Sequence, residues 1–197
     1  MASHTTAALT EAMLPHALAE DLDGAFEQLV LCFQDRLYRF ALRLCGNAQD
    51  AEEVTQDSFV RAYRALCGYT PERIRTLMLR PWLYRITLNV VRNRRRGRHL
   101  PMSRLDAQGA PVIAAGAHHQ PERVVERSEW ERMLNLSLAA LPERYRTALV
   151  LRHIEGLSYP ELAALLEQPV GTIKSHVHRG ARLLRAALDG HWPQEEP

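Results

Sequence analysis

FEQLVLCFQDRLYRFALRLCGNAQDAEEVTQDSFVRAY, residues 26–63, decides the fold class. Phe26, Leu29, Val30, Phe33, Leu37, Phe40, Ala41 and Leu44 recur at i, i+3, i+4, i+7, the spacing of one helix face. Gly46 is a common helix stop. A second helix follows from about Ala48 to Leu66, burying Ala51, Val54, Ser58, Ala62 and Leu66. Its other face carries Glu53, Asp57, Arg61 and Arg64. β-branched alternation is nearly absent on either side, so the expectation is all-α.

Downstream, Gly68 to Arg80 reads as a loop or broken helix, and Pro81 is well placed in the first turn of a third helix. Trp82, Leu83, Ile86 and Val90 form its inner stripe, and Arg85, Asn89, Arg92 and Arg96 share an outer face. From Pro101 to Pro121 three prolines and two glycines interrupt any stripe, which predicts a flexible linker between two domains. Helical spacing resumes at about Glu122, with one helix over Val125 to Ala140 and another opening at Pro142 and reaching Glu155-Gly156. Ser158-Tyr159-Pro160-Glu161 is a capping box, opening a short helix that ends near Glu167. Pro169 marks a tight connection to a last helix, whose inward positions are Val170, Ile173, Val177, Ala181, Leu184 and Leu188. Two helices joined this closely are a helix-turn-helix. The predicted architecture is two small helical bundles joined by a flexible linker. It divides into a partly helical N-terminal segment (1–23), a first bundle (24–100), the linker (101–121), a second bundle with the helix-turn-helix (122–190) and a tail (191–197).

Charge separates the functions. The net charge is only +2, but between Pro71 and Arg104 there are ten arginines against Glu72 alone, while Asn47 to Asp57 holds four acids and no base. Adjacent runs of opposite sign suggest two partners, one of them polyanionic. On the last helix Thr172, Lys174, Ser175, His178, Arg179 and Arg182 project away from the apolar stripe. Short polar residues reach base edges in a major groove, and cations hold the phosphates beside them. An ordinary solvated basic face would look similar. In the arginine-rich third helix, Tyr69, Trp82, Tyr84 and His99 interleave with cations, as a platform for unstacked bases requires. A solvated face, with Trp82 in the core, is the plainer reading of that run. Asp50, Glu52, Glu53, Gln56 and Asp57 by themselves read as a solvated helix start.

Several classes are excluded or disfavoured. No apolar stretch approaches the roughly 20 residues of a membrane helix. The start MASHTTAALTEAM lacks the pattern of a signal peptide, so a cytoplasmic location is expected. Cys32, Cys45 and Cys67 form no C-x-x-C pair and read as reduced thiols. His118-His119 has no partner cluster, and His176 and His178 face different directions, so no metal or other cofactor is expected. Carboxylate clusters with metal spacing, a Ser-His-Asp arrangement and a phosphate-binding glycine loop are all missing, which argues against a nuclease or any other enzyme.

Residues 24–98, through the string quoted above and RPWLYRITLNVVRNRRR (80–96), resemble region 2 of an extracytoplasmic-function (ECF) sigma factor. Residues 126–188, through LAALPERYRTALVLRHIEGLSYPELAALLEQPVGTIKSHVHRGARLLRAAL (138–188), resemble region 4. The resemblance implies a promoter-specificity subunit of RNA polymerase. Its partners would be core polymerase (the β′ clamp and β flap), promoter DNA and, as is usual in the family, an anti-sigma factor, which could hold an otherwise cytoplasmic chain at the membrane. It also implies site roles: Asp50, Glu52, Glu53, Gln56 and Asp57 for core polymerase; Tyr69, Arg80, Trp82, Arg85, Asn89, Arg92 and Arg96 for minus-ten binding and melting; and Thr172, Lys174, Ser175, His178, Arg179 and Arg182 for the minus-thirty-five element. Melting costs about 1.4 kcal/mol per base-pair step, which protein groups on the open strand must supply. The linker would run through the polymerase cleft. The alternative is a helix-turn-helix regulator that does not act as a sigma subunit. Three departures from the family pattern stand out: Glu167 where a glycine is usual in the turn, His176 where an arginine is usual, and Arg95 and Asn93 in place of an apolar residue and an aspartate.

Overall fold

The computed structural model describes residues 10–98, 130 and 133–188, all of whose regular structure is helical. The first bundle comprises α1 (Leu14–Glu20), α2 (Leu22–Cys45), α3 (Ala48–Cys67), α4 (Pro71–Arg75) and α5 (Leu79–Arg98). The second begins with helical residues 133–140. It continues through α6 (Glu143–Leu149), which widens into a π-helical turn (Val150–Ile154), and then α7 (Tyr159–Leu166) and α8 (Val170–Leu188). The proposed linker, 101–121, and the tail, 191–197, lie outside the described residues. Among those residues no helix is long and apolar enough to cross a membrane.

Local chemistry sets the ends of these helices. Asp21 accepts from the Gly24 amide at 3.0 Å and opens α2. Gly46, at φ 83°, closes α2 in the left-handed region that a glycine enters without strain. Asn47 caps α3 by accepting from the Asp50 amide at 2.8 Å. Ser158 and Glu161 form the expected reciprocal box, in which the Ser158 amide donates to Glu161 Oε2 at 2.7 Å.

α2, α3 and α5 enclose the first core, where Phe33, Leu37, Phe40, Ala51, Val54, Leu83, Tyr84 and Leu88 are buried. Leu14 and Leu18 of α1 are buried as well and α1 lies against α4, so this core reaches back into the N-terminal segment. The stripe of α5 is wider than Trp82, Leu83, Ile86 and Val90 imply. Tyr84, Thr87, Leu88 and Val91 are buried, whereas Trp82 is only half-buried. Tyr84 is therefore core and not a base platform. On α8 the buried positions are Ile173, Val177 and Gly180, with Val170 and Ala181 exposed, because the helix meets α6 through its glycine.

The bundles also touch one another. Arg146, only 7% exposed, donates to Ala139 O (2.8 Å) and Leu141 O (2.9 Å) within its own half, and to Leu44 O (2.7 Å) at the end of α2. Glu155, 6% exposed, accepts from the Tyr84 hydroxyl and lies 3.7 Å from Arg43. Burial, and then the neighbouring Glu155 carboxylate, push the Tyr84 phenol well above its usual range.

Candidate nucleic-acid and polymerase surfaces

The acidic start of α3 splits into an inward and an outward set. Asp50 is 4% exposed; it accepts from Asn47 Nδ2 at 2.6 Å and from Arg94 at 3.1 Å. It fastens α3 to α5 and does not face solvent. Glu52, Glu53 and Gln56 are exposed and Asp57 partly so. Glu53 also reaches Arg94, and Asp57 pairs with Arg61 at 3.0 Å. The outward face is thus Glu52, Glu53, Gln56 and Asp57, spread over the second and third turns of α3.

The second surface combines the α4 turn with α5. Thr70 caps α4, and the Arg73 guanidinium lies 3.7 Å from the centroid of the Tyr69 ring. Tyr69 in turn meets Trp82 at 6.2 Å between centroids, so a cation and two aromatic rings are gathered at one end of α5. Arg85, Asn89 and Arg96 are placed along the helix, Arg85 and Asn89 exposed, while Arg80 and Arg92 are half-buried. Two of these arginines are engaged by the second bundle: Arg85 pairs with Glu167, and Arg92 with Glu143 at 3.3 Å. Arg95, one of the departures from the family pattern, joins Glu143 at 2.8 Å and donates to Leu44 O.

The third surface is the outer face of α8. Lys174, Ser175, His178, Arg179 and Arg182 are exposed, and Thr172 is half-buried at the first turn. Ser175 Oγ donates back to Gly171 O at 3.0 Å. Lys174 and Arg152 both lie over the Tyr159 ring, at 5.7 and 4.9 Å. His176 packs edge-on to Tyr145, with centroids 5.5 Å apart, and burial lowers its pKa. Arg179 and Arg144 beside Tyr145 hold that phenol below its usual range. His176 therefore serves the seat of α8, and Arg179 lies between that seat and solvent.

Behind α8 runs an apolar groove of about 600 Å³, whose walls include Leu134, Leu138, Leu149, Ile154, Leu184 and Leu188. Sequence reasoning missed this groove and the whole Tyr84–Glu155–Arg146 seam. The spacing of Tyr84, Leu88 and Val91 was the signal that could have found Tyr84; no comparable pattern marks Glu155 or Arg146.

Two helical bundles, the second a helix-turn-helix with an exposed basic outer face, define a DNA-binding transcription protein. Residues 29–99 match the Sigma-70 region 2 model and residues 131–184 the Sigma-70, region 4 model. The chain is 37% identical over 171 residues to the RNA polymerase sigma-H factor of Pseudomonas aeruginosa, spanning 83% of this chain and 86% of that one. It is 39% identical over 169 residues to the ECF RNA polymerase sigma factor SigE of Mycolicibacterium smegmatis, covering 85% of this chain and 63% of that longer protein. Against the ECF RNA polymerase sigma factor SigW of Bacillus subtilis the identity is 33%, over 83% of this chain and 89% of its relative. Among solved structures, CnrH in complex with the cytosolic domain of CnrY superposes with a TM-score of 0.65 at 26% identity, covering 92% of this chain and 99% of that one. The chain belongs to the ECF family of RNA polymerase sigma factors. It is a promoter-specificity subunit that binds core polymerase and promoter DNA, and it is not an enzyme.

Proposed function

We propose that initiation is divided among the three surfaces described above. The outward acids of α3 (Glu52, Glu53 and Asp57), with Gln56, meet the polymerase β′ clamp, and Asp50 braces the helix through Arg94. The Tyr69–Trp82 pair and Arg80, Arg85, Asn89, Arg92 and Arg96 take the opened minus-ten strand, where aromatic faces and cations suit unstacked bases and phosphates. Thr172, Lys174, Ser175, His178, Arg179 and Arg182 read the minus-thirty-five duplex. The apolar groove behind α8 receives the β flap, and residues 101–121 run through the cleft of the enzyme. The protein acts in the cytoplasm, and an anti-sigma factor holds it in reserve, at the membrane where that partner is itself membrane-bound; CnrH, a structural relative, is found in complex with the cytosolic domain of CnrY. The observation that carries this reading is the outer face of α8: five of its six proposed DNA-binding residues are exposed on a helix whose opposite side is buried.

The division of labour has a direct test in holoenzyme. Lys174→Ala with Arg179→Ala is expected to weaken binding to a minus-thirty-five duplex and to flatten its salt dependence by about one unit of slope for each phosphate no longer neutralised. Arg85→Ala with Asn89→Ala should leave that duplex affinity alone and slow strand opening, followed by permanganate reactivity of unpaired thymines. Loss of the same step in both pairs would refute the division.

Core binding is tested separately. Reversing charge at Glu52 and Asp57 is expected to weaken association with core polymerase at least tenfold while helical content stays constant, because exposed charges contribute about 0–1 kcal/mol each to folding. Competition against the native chain for core enzyme measures this. Equal competition would remove α3 from the interface.

A further inference from the structure

Two of the α5 arginines that would hold an opened strand, Arg85 and Arg92, already have partners in this molecule, and those partners are carboxylates. Glu143, in the first turn of α6, takes Arg92 at 3.3 Å and Arg95 at 2.8 Å. Glu167, at the end of α7, takes Arg85. Beneath them Glu155 binds Tyr84 and Arg43, and Arg146 reaches Leu44 O, so the rim of ion pairs lies over a buried seam. The outer face of α8 stays exposed in the same arrangement.

Glu167 is the informative member. At φ 54° and ψ 45° it is the only non-glycine residue with positive φ among the described residues. A glycine would end α7 there without strain, whereas a glutamate holds the left-handed backbone at a cost. Its side chain is what a glycine lacks, and that side chain goes to Arg85. Strained backbone is retained where the surrounding structure uses it.

We infer that the C-terminal half is a built-in inhibitor of the strand-opening face, with the Glu143 and Glu167 carboxylates standing where DNA phosphates would bind Arg85 and Arg92. The free protein rests closed, with its duplex-reading helix accessible and its single-strand face covered. Separation of the halves, as the chain spreads over polymerase and promoter, exposes the arginines. Closure reduces apparent affinity for single strands by the fraction of molecules that are open. This inference rests on the proposed role of α5 in holding the minus-ten strand.

The test uses the full chain without polymerase and a mixed-sequence single-stranded DNA of about 16 nucleotides, the upper range for one binding surface. Glu143→Gln with Glu167→Gln is expected to bind the strand roughly five- to tenfold tighter than the native chain, and to increase the radius of gyration in solution scattering. Removing two negative charges strengthens DNA binding anywhere, so Glu20→Gln with Glu27→Gln, two exposed carboxylates on α1 and α2, is the matched control. Glu167→Gly is a second variant that folds readily, since glycine accepts this backbone, and it should move affinity the same way. Affinity equal to that of the control pair overturns the inference. Adding Arg85→Ala and Arg92→Ala to the opened variant should abolish the gain. If the gain survives, the strand binds elsewhere, and both the inference and the α5 reading fall. If the opened variant gains nothing while the two arginine substitutions weaken the native chain, the inference alone falls.

Discussion

Phe40→Ala is expected to cost about 3–5 kcal/mol of stability in the first bundle, the range for emptying a buried aromatic site. Phe40 is fully buried on α2, and its ring meets that of Tyr84 edge-on at 5.0 Å. The pair adds roughly 0.5–1.5 kcal/mol beyond the area that it buries. Truncation leaves a cavity between α2 and α5, and side chains carried on long packed helices relax into such a gap only in part. Tyr84 also loses the ring that holds it toward Glu155, so the seam between the halves should loosen with the core. Denaturant titration should show the drop in midpoint, and amide exchange should place it in α2 and α5. Phe40→Leu, which refills most of the volume, should cost less than half as much. Equal losses for the two variants would mean that the ring pairing, and not the cavity, dominates.

The elements legible in the sequence were those whose information is local. α2 and α3 follow from apolar spacing plus Gly46, and α7 from the Ser158–Glu161 box, because each signal lies within a few residues of the feature that it controls. The wide stripe of α5 escaped this reasoning because Tyr84 carries a hydroxyl and sits among arginines, so it resembled a nucleic-acid platform; its partner Glu155 is 71 residues away. Arg146 shows the same difficulty. In the sequence it is one more exposed-looking cation, and only three carbonyls from two parts of the chain explain its burial. Asp50 groups by sequence with its acidic neighbours, yet Arg94, 44 residues on, draws it inward. Glu167 was half legible: the turn showed that a non-glycine residue there carries a backbone cost, but what the side chain gains depends on Arg85, 82 residues upstream. Charged residues are ambiguous in a sequence because solvent and a distant counter-charge satisfy them equally well.

Gly180→Leu is expected to abolish duplex binding while leaving the first bundle folded. Gly180 is buried in α8, and a Cβ built there would lie 3.0 Å from Tyr145 O, 3.4 Å from Tyr145 Cβ and 3.5 Å from Leu149 Cβ. The carbonyl is backbone inside α6 and cannot swing aside as a flexible side chain would. A glycine in a helix interior costs about 1 kcal/mol relative to alanine, and here that cost is offset by the close approach of the two helices. Gly180→Ala sets the propensity gain against one tight approach and should change stability by less than about 1 kcal/mol. Leucine adds three more carbons to the same gap. Overpacking of this kind costs about 1–3 kcal/mol or more, and the least costly relief is for α8 to lift away from α6. Lifting it also withdraws His176 from Tyr145 and turns Lys174 and Arg179 out of register with a major groove. Thermal unfolding of the C-terminal half and anisotropy on a minus-thirty-five duplex should therefore fall together, with exchange protection in α2 and α3 unchanged. Normal duplex affinity in a destabilised Gly180→Leu variant would show that the seating of α8 on α6 does not set the angle of the reading face. That outcome would return the recognition role to the side chains alone.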